Sequence, residues 1–380
     1  MRRGIFDLPL HDGRCPVYLF QEMKELGTAI MLAIAREFGP EEILRRLADP
    51  VWFQSLGCLL GFDWHSSGLT TTVCGALKEG LRPWQKELGL FIAGGKGKVS
   101  RNTPAEIEEI GSKHALPLSV VQLQSISKLV AKVDTAALQD GFDLYHHVFI
   151  FTTQGSWAVI QQGMRPDLRY ARRYHWYSGK VTNFVEEPHS GICCDYRGKV
   201  LNLTARESRE CRQAIVSLLR ESPALLEKGL GKTFRNNLPP ATGEQLSLFA
   251  DASLPAYSLP ARHSIPRADY LNKILYKLYE HPPADFIDLL TTPGVGKNTV
   301  RALAMTAEVI YGAKPSFTDP VRYSFAHGGK DGHPFPVDRK TYRQTILSLH
   351  DALNAARVGD GKKIKALKKL SEFLREVEGS

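Results

Sequence analysis

Two neighbouring stretches in the middle of the chain carry histidines and amides that are suited to acid–base chemistry. Residues 145–152 and 156–162 are rich in β-branched and aromatic residues, and Gln154-Gly155 stands between them. A glycine-containing dipeptide between two such runs predicts a β-hairpin with a two-residue turn. Histidines on such a hairpin can act as a general base and can stabilise the charge of a phosphate.

The turn decides which side chains meet across the hairpin. With Gln154-Gly155 as the turn, His147 lies opposite Gln162 and Val148 lies opposite Gln161. The apolar middle of both strands is then buried, and the polar residues gather at the open end. Buried imidazoles and amides need hydrogen-bond partners, which a substrate could supply. The candidate catalytic residues of the hairpin are His146, His147, Gln161 and Gln162.

Residues 165–177 follow the hairpin and are dense in arginine and aromatic residues. Read as a helix, the segment places Arg172 or Arg173 on one face with Trp176. Guanidinium groups beside aromatic rings suit phosphates and unstacked bases, so Arg172, Arg173 and His175 are further catalytic candidates. The alternative is an arginine-rich helix whose aromatic rings pack into the core.

Carboxylates close to histidines form a second class of candidates. Asp63 and His65 lie in a polar stretch and are predicted catalytic residues, while Glu186 and Glu187 precede another histidine. Hydrolysis assisted by Mg²⁺ or Mn²⁺ needs two or more carboxylates on the ion. Asp63, Glu186 and Glu187 are therefore the candidate metal ligands. The sequence leaves open whether they converge, and histidines acting without a metal are the alternative.

The most specific motif spans residues 286–303, where Pro293 ends one helical run and two glycines precede the next. Such a turn presents backbone N–H groups at a helix N-terminus, where an anion is stabilised. The motif resembles the helix-hairpin-helix of DNA repair proteins. DNA is therefore the predicted partner, gripped through its backbone without sequence readout. The predicted DNA-binding residues are Gly294, Val295, Gly296, Lys297 and Thr299.

The same resemblance implies two alternatives to a nuclease. Helix-hairpin-helix glycosylases carry an aspartate beyond the hairpin, and Asp319 or Asp338 could take that place. The lysine of the lyase members would fall near Asn298, which cannot form a Schiff base. A DNA-binding adaptor without enzymatic activity is the other alternative.

Residues 233–266 are rich in proline and predict an extended linker. They contain Gln245-Leu246-Ser247-Leu248-Phe249, which resembles the pentapeptide by which bacterial repair and replication proteins bind the sliding clamp. An apolar cluster inside such a linker suits a peptide that docks in a groove. The resemblance implies a bacterial source, and docking onto the chain's own domain is the alternative. The predicted clamp-binding residues are Gln245, Leu246, Leu248 and Phe249.

The whole chain predicts an α+β protein of two parts. Residues 1–232 read as a mixed α/β catalytic domain with helices at 18–37, 40–48 and 118–139, and residues 267–380 read as an all-α DNA-binding domain. A net charge of +9 favours a polyanionic partner. No run is long and apolar enough for a membrane span, and the first residues lack a signal core, which predicts a cytoplasmic protein.

Several stretches together resemble the family catalogued as domain of unknown function 763: residues 61–68, 93–97, 157–164, 171–176 and 328–332. The resemblance covers most of the chain. It implies a DNA exonuclease, since members have been suggested to have that activity, and it assigns no catalytic residue. The combined prediction is a DNA-repair nuclease.

Overall fold

The computed structural model describes residues 15–62, 67–116, 119–221, 268–322, 339–357, 359, 361–364 and 366–368. An antiparallel sheet with helices on both sides confirms the predicted α+β class, and the described segments after residue 267 are mainly helical. Among the described residues no helix combines the length and the apolarity of a bilayer-spanning segment.

The described helices up to residue 221 confirm the predictions at residues 18–37 and 40–48. They are α1 Val17–Phe38, α2 Pro40–Leu47, α3 Pro50–Leu59, α4 Gly68–Leu81, α5 Gln85–Leu88, α6 Lys98–Arg101, α7 Thr103–His114, α8 Val120–Lys132 and α9 Arg209–Leu218. A π-helical turn, Val133–Ala137, continues α8. Asp49 begins α3, since its carboxylate accepts hydrogen bonds from the amides of Val51 and Trp52.

The described helices after residue 267 are α10 Ala268–Glu280, α11 Phe286–Thr291, α12 Lys297–Tyr311 and α13 Arg339–Ala355. The strands are β1 Leu90–Lys96, β2 Leu138–Gln139, β3 Asp143–Thr152, β4 Trp157–Arg165, β5 Tyr170–Tyr177, β6 Gly191–Cys193 and β7 Leu201–Asn202. The main sheet has the order β1-β3-β4-β5-β6 with every pair antiparallel, and β2 pairs with β7.

The β3–β4 hairpin is confirmed, but its predicted turn and register were wrong. The loop has three residues, 153–155, because the amide of Gly155 bonds to the carbonyl of Thr152 and Gly155 has a φ of 88°. A left-handed glycine after a turn of this length is a common hairpin geometry. The extra loop residue moves the pairing by one position, so His147 faces Gln161 and His146 faces Gln162.

Residues 170–177 form strand β5, and the predicted arginine-rich helix was wrong. The aromatic residues of this segment favour a strand, and pairing with β4 satisfies its backbone. Residues 93–96 belong to strand β1, although two of them are glycines. Gly94 has a φ of 94°, and a Cβ there would collide with the carbonyl oxygen of His147. That glycine therefore allows β1 to approach β3.

Two hydrophobic clusters lie on opposite faces of the sheet. The first joins α1–α4 to inward residues such as Val148 and Ile160 and also includes Leu353 of α13. The second joins α7–α9 to residues such as Phe149 and also includes α10–α12 through residues such as Leu289. Described helices on both sides of the predicted linker therefore share these clusters, while the linker itself lies outside the described residues.

A buried ion-pair network fastens the segment after α12 to the sheet. Arg172 of β5 pairs with Asp140 at 2.9 Å and with Asp319 at 2.8 Å, and the Arg172 side chain is fully buried. Asp319 also accepts hydrogen bonds from the amides of Gly198 and Val321. Arg172, predicted to contact substrate, and Asp319, predicted for a glycosylase, therefore serve in packing.

Replacing Asp319 with alanine should lower the free energy of unfolding by about 3–5 kcal/mol, because it leaves a buried guanidinium with one carboxylate fewer. Urea denaturation of the full chain measures this change. The matched control is Arg206→Ala, which removes an exposed ion pair with Glu187 and should cost under about 1 kcal/mol. Equal losses in the two variants would contradict the assigned role of Asp319.

Candidate functional site

A cavity of about 820 Å³ opens beside the end of the β3–β4 hairpin that lies away from its turn. Its walls come from α6, the start of α7, one face of α8 with its π-helical turn, strands β3 and β4, and the last residue of α11. The lining residues are Gly97, Lys98, Ser100, Arg101, Pro104, Ser125, Ser127, Lys128, Ala131, Lys132, Thr135, Leu144, Tyr145, His146, His147, Gln161 and Thr291.

A chain of hydrogen bonds runs from the cavity into the core. The Ser127 hydroxyl lies 2.9 Å from Nε2 of His147, whose Nδ1 lies 2.8 Å from Oε1 of Gln161. Nε2 of Gln161 donates to Oδ2 of Asp134 over 2.5 Å. All four side chains are buried. Strands β3 and β4 and helix α8 with its π-helical turn thus hold one continuous polar path.

Asp134 fixes the direction of every hydrogen bond in this path. Its carboxylate also lies 2.9 Å from Nε1 of Trp176, which donates, and 2.5 Å from Nε2 of His189. Because a carboxylate only accepts, Gln161 must turn its NH₂ group towards Asp134 and its oxygen towards His147. His147 then carries its hydrogen on Nδ1, and its Nε2 accepts from the hydroxyl of Ser127.

Burial lowers the pKa of His147, although its hydrogen bond with Gln161 and the charge of Asp134 act in the opposite direction. The imidazole is therefore neutral near pH 7, in the tautomer that the path dictates. A neutral imidazole with its Nε2 lone pair directed at a hydroxyl has the arrangement of a general base.

His146 and Gln162 lie on the other face of the hairpin, so the four polar residues predicted at its open end divide into two groups. Nε2 of Gln162 donates to the carbonyl of Ser67 over 2.8 Å and to the hydroxyl of Tyr145 over 2.5 Å. Gln162 therefore anchors the start of α4. Among the described residues neither ring nitrogen of His146 has a hydrogen-bond partner. Burial, with the nearby His147 and Lys96, lowers the pKa of His146 to about 3.

The rim of the cavity is basic. Lys98, Arg101 and Lys128 are exposed there, and no aspartate or glutamate is among the described residues that line the cavity. Lys132 is half-buried, its pKa is lowered by burial, and its ammonium group donates to the carbonyl of Val295 over 2.7 Å. A concave surface lined by cations attracts anionic groups such as phosphates.

The turn between α11 and α12 lies at the edge of this cavity, which Thr291 lines. Gly294 is exposed with a φ of 93°, and Val295 is buried beneath the turn. Lys297 pairs with Asp143 at 2.9 Å. The side chain of Thr299 is buried, so this residue can offer a ligand only its backbone.

Arg173 and His175, two predicted catalytic residues, lie away from the cavity. On strand β5 they point towards α1–α4 and are buried. Nε of Arg173 donates to Nε2 of His175 over 2.9 Å, and Nδ1 of His175 lies 3.1 Å from the carbonyl oxygen of Leu47. The guanidinium stacks on the ring of Phe53. These contacts join the sheet to the helices on that face.

The two predicted metal ligands that the structure describes are held by arginines. Glu186 pairs with Arg209 and Arg212, and Glu187 pairs with Arg206. Within the described part of the chain no group of three or more His, Cys, Asp or Glu residues is placed to hold a metal ion. The predicted residues that lie outside the described residues are Asp63, His65, Gln245, Leu246, Leu248, Phe249 and Asp338.

Ser127 and Asp134 were missed by the sequence analysis, although a signal for them exists. They are seven residues apart, which places both on one face of a helix. Polar residues on the buried face of an otherwise amphipathic helix usually serve a hydrogen-bond network. Their partners lie on β3 and β4, so only the fold identifies which residues complete the path.

Comparison with known proteins gives one family match. The family model described as "Protein of unknown function (DUF763)" matches residues 4–337. Neither the curated proteins nor the solved structures contain a match. The geometry of the site therefore carries the functional argument.

The buried His146 should make the fold sensitive to acid. Above pH 6.5 the imidazole is neutral in both states, and below it the unfolded chain takes up a proton that the folded chain excludes until about pH 3. The free energy of unfolding should therefore fall in that window by up to about 1.4 kcal/mol per pH unit for this proton. Urea denaturation between pH 7 and pH 4 should show a shallower fall for His146→Gln.

The control is Ser217→Ala, which removes an exposed hydroxyl of α9 and no titratable group, so it should keep the pH slope of the wild type. Identical slopes for wild type and His146→Gln would show that His146 is not held neutral by the fold.

Proposed function

The chain belongs to the DUF763 family, and we propose that it is a DNA-repair exonuclease that hydrolyses phosphodiester bonds. The observation that carries the proposal is the hydrogen-bonded path from Ser127 through His147 to Asp134, which ends in a cavity with a basic rim. A general base and phosphate-binding cations are the two groups that hydrolysis of a phosphodiester needs.

The charge of the cavity supports a polyanionic substrate. Lys98, Arg101, Lys128 and Lys132 line it without a carboxylate among the described lining residues. Where DNA phosphates displace counterions from such cations, binding gains strength at low salt and loses it at high salt. The same cations neutralise charge that develops on the phosphate oxygens during the reaction.

The helix-hairpin-helix is the proposed grip on the DNA backbone. The turn before α12 is exposed at Gly294, and α12 begins at Lys297 without a side-chain cap. Uncapped amides at a helix N-terminus bind phosphate oxygens well. Lys132 joins the two parts, since it lines the cavity and donates to the carbonyl of Val295 in the turn. DNA held at the turn would thus pass the cavity.

His147 is the proposed general base. Its Nε2 accepts the proton of the attacking hydroxyl, and Gln161 keeps the ring in the required tautomer. Mg²⁺ or Mn²⁺ is a separate proposal for the same hydrolysis. Because arginines hold Glu186 and Glu187, a metal site would depend on Asp63, which lies outside the described residues.

The alternatives receive less support from the geometry. A glycosylase would need a carboxylate that faces a sugar, whereas Asp319 is buried against Arg172 and two amides. A DNA-binding adaptor would not need the directed path between Ser127 and Asp134. Binding of a bacterial sliding clamp through residues 245–249 remains a proposal compatible with either activity.

The deciding experiment incubates the full chain with end-labelled single-stranded and double-stranded DNA in Mg²⁺, in Mn²⁺ and in EDTA. Stepwise shortening of the DNA supports the nuclease, and shortening in EDTA supports the route through His147 without a metal. Release of a free base would favour a glycosylase, and retardation without a product would favour the adaptor.

Replacing His147 with alanine should lower the rate of DNA shortening by about 10²–10⁴-fold, the usual contribution of a general base. His350→Ala, which removes an exposed histidine outside the cavity, should retain the wild-type rate. Activity of the wild type should also decline on the acid side, at a pH below 6.5, because burial lowers the pKa of the base. Full activity of His147→Ala would refute the assignment.

Removing the basic rim should weaken DNA binding and its dependence on salt. The double variant Lys98→Ala, Arg101→Ala removes two exposed cations from the cavity. Each lost phosphate contact should reduce the slope of log affinity against log salt by about 1. Titrations at several salt concentrations measure the slope, with Lys86→Ala as the control because this exposed lysine lies on α5, outside the cavity lining. An unchanged slope would place the DNA elsewhere.

A further inference from the structure

We infer that Ser127 is the nucleophile of the reaction and that cleavage passes through a phosphodiester bond between its oxygen and the substrate. The inference rests on the proposed function and names the group that attacks phosphorus. Its basis is the position of one hydroxyl between the cavity and the buried imidazole.

The bonding of Ser127 differs from that of its neighbours on the same helix. Hydroxyls in helices commonly donate back to the carbonyl four residues earlier. Ser125 does so towards Val121 at 2.9 Å, and Thr135 does so towards Ala131 at 2.7 Å. Ser127 instead directs its hydroxyl to Nε2 of His147 at 2.9 Å. The Ser127 hydroxyl thus donates to the imidazole of His147 instead of to a backbone carbonyl of its own helix.

Both nitrogens of His147 are already engaged, which decides what the base can deprotonate. Nδ1 donates to Gln161, and Nε2 accepts from Ser127, which is only 2% exposed. A water molecule would have to displace the serine to reach the Nε2 lone pair. The proton that His147 removes is therefore that of Ser127, whose oxygen becomes the attacking atom.

An amide in the third position of such a path is chemically adequate. Nucleophile, base and orienting group define an activated nucleophile, and an asparagine takes the third place in papain-like proteases. Here Gln161 accepts from the imidazole, and Asp134 accepts from Gln161. The carboxylate of Asp134 stabilises the imidazolium of His147 through the Gln161 amide. Its hydrogen bond with Nε2 also prevents the amide from flipping.

The proposed steps balance as follows. Oγ of Ser127 bonds to the scissile phosphorus while its proton passes to Nε2 of His147. The bond between phosphorus and the departing nucleotide oxygen breaks, and that oxygen takes the proton from the imidazolium. Water then gives a proton to His147 and its oxygen attacks phosphorus. The bond between phosphorus and Oγ breaks, and Ser127 regains a proton from His147.

The first test uses a fluorophosphonate probe on the full chain and needs no DNA. Oγ should displace fluoride from its phosphorus, which adds the phosphonyl group to Ser127, located by mass spectrometry of peptides. Ser127→Ala should show no label at that peptide, and His147→Ala should react at least about 100-fold more slowly. The control is Ser217→Ala, an exposed serine of α9 outside the cavity lining, which should react like the wild type. A wild-type chain left unlabelled at Ser127 overturns the inference.

The second test follows, in water labelled with a heavy oxygen isotope, the cleavage of DNA whose scissile phosphate is a single phosphorothioate diastereomer. Two successive displacements should give net retention of configuration at phosphorus, whereas direct attack by water gives inversion. Inversion, or full activity of Ser127→Ala, would overturn the inference and leave the nuclease standing. Labelling of Ser127 without any cleavage of DNA would reject the nuclease and keep the nucleophile for another phosphoryl substrate.

Discussion

The site depends on one buried carboxylate. Asp134 is fully enclosed and lies within hydrogen-bond distance of nitrogens on Gln161, Trp176 and His189. An unpaired charge in such a place would cost several kcal/mol, so the fold must supply donors from strands β4 and β5 and from the loop before β6. Those donors in turn lose their rotational freedom. The tautomer of His147 follows from this arrangement, since every hydrogen bond between the carboxylate and the imidazole has a single allowed direction.

The sheet divides the polar residues of the hairpin between two environments. Because side chains alternate along a strand, His146 and His147 face opposite helical layers although they are adjacent in sequence. Both residues line the cavity, but His147 bonds to Ser127 of α8, whereas His146 is buried without a hydrogen-bond partner among the described residues. One additional residue in the loop at Gly155 decides which positions pair across the strands. The chemistry of the site is thus sensitive to a turn about 20 Å away, given the rise of roughly 3.4 Å per residue in an antiparallel strand.

Local sequence patterns predicted the helices and the hairpin better than they predicted which side chains contact each other. The helices near residues 18–37 and 40–48 and the hairpin follow from periodicity and turn residues, which act over a few positions. Residues 170–177 were misread because arginines spaced for a helix face are equally compatible with a strand paired to β4. The roles of Ser127 and Asp134 could not be predicted, since their partners His147 and Gln161 lie 20 and 27 residues away in sequence, on strands β3 and β4. Arg172 failed as a candidate because its attraction to Asp140 and Asp319 depends on tertiary contacts.

The contacts of Lys132 and Gln139 with the turn have a geometric consequence. Lys132 donates to the carbonyl of Val295, and Gln139 donates to that of Lys297 over 2.8 Å. Lys132 ends the helix that carries Ser127, and Gln139 lies on β2 just after the π-helical turn, so these contacts hold the turn at a fixed position relative to the Ser127 hydroxyl. Under the proposed function this segment fixes a distance along the bound DNA. The spacing between the phosphate that is gripped and the phosphate that is cut is set by this segment, and it would determine the number of nucleotides between them.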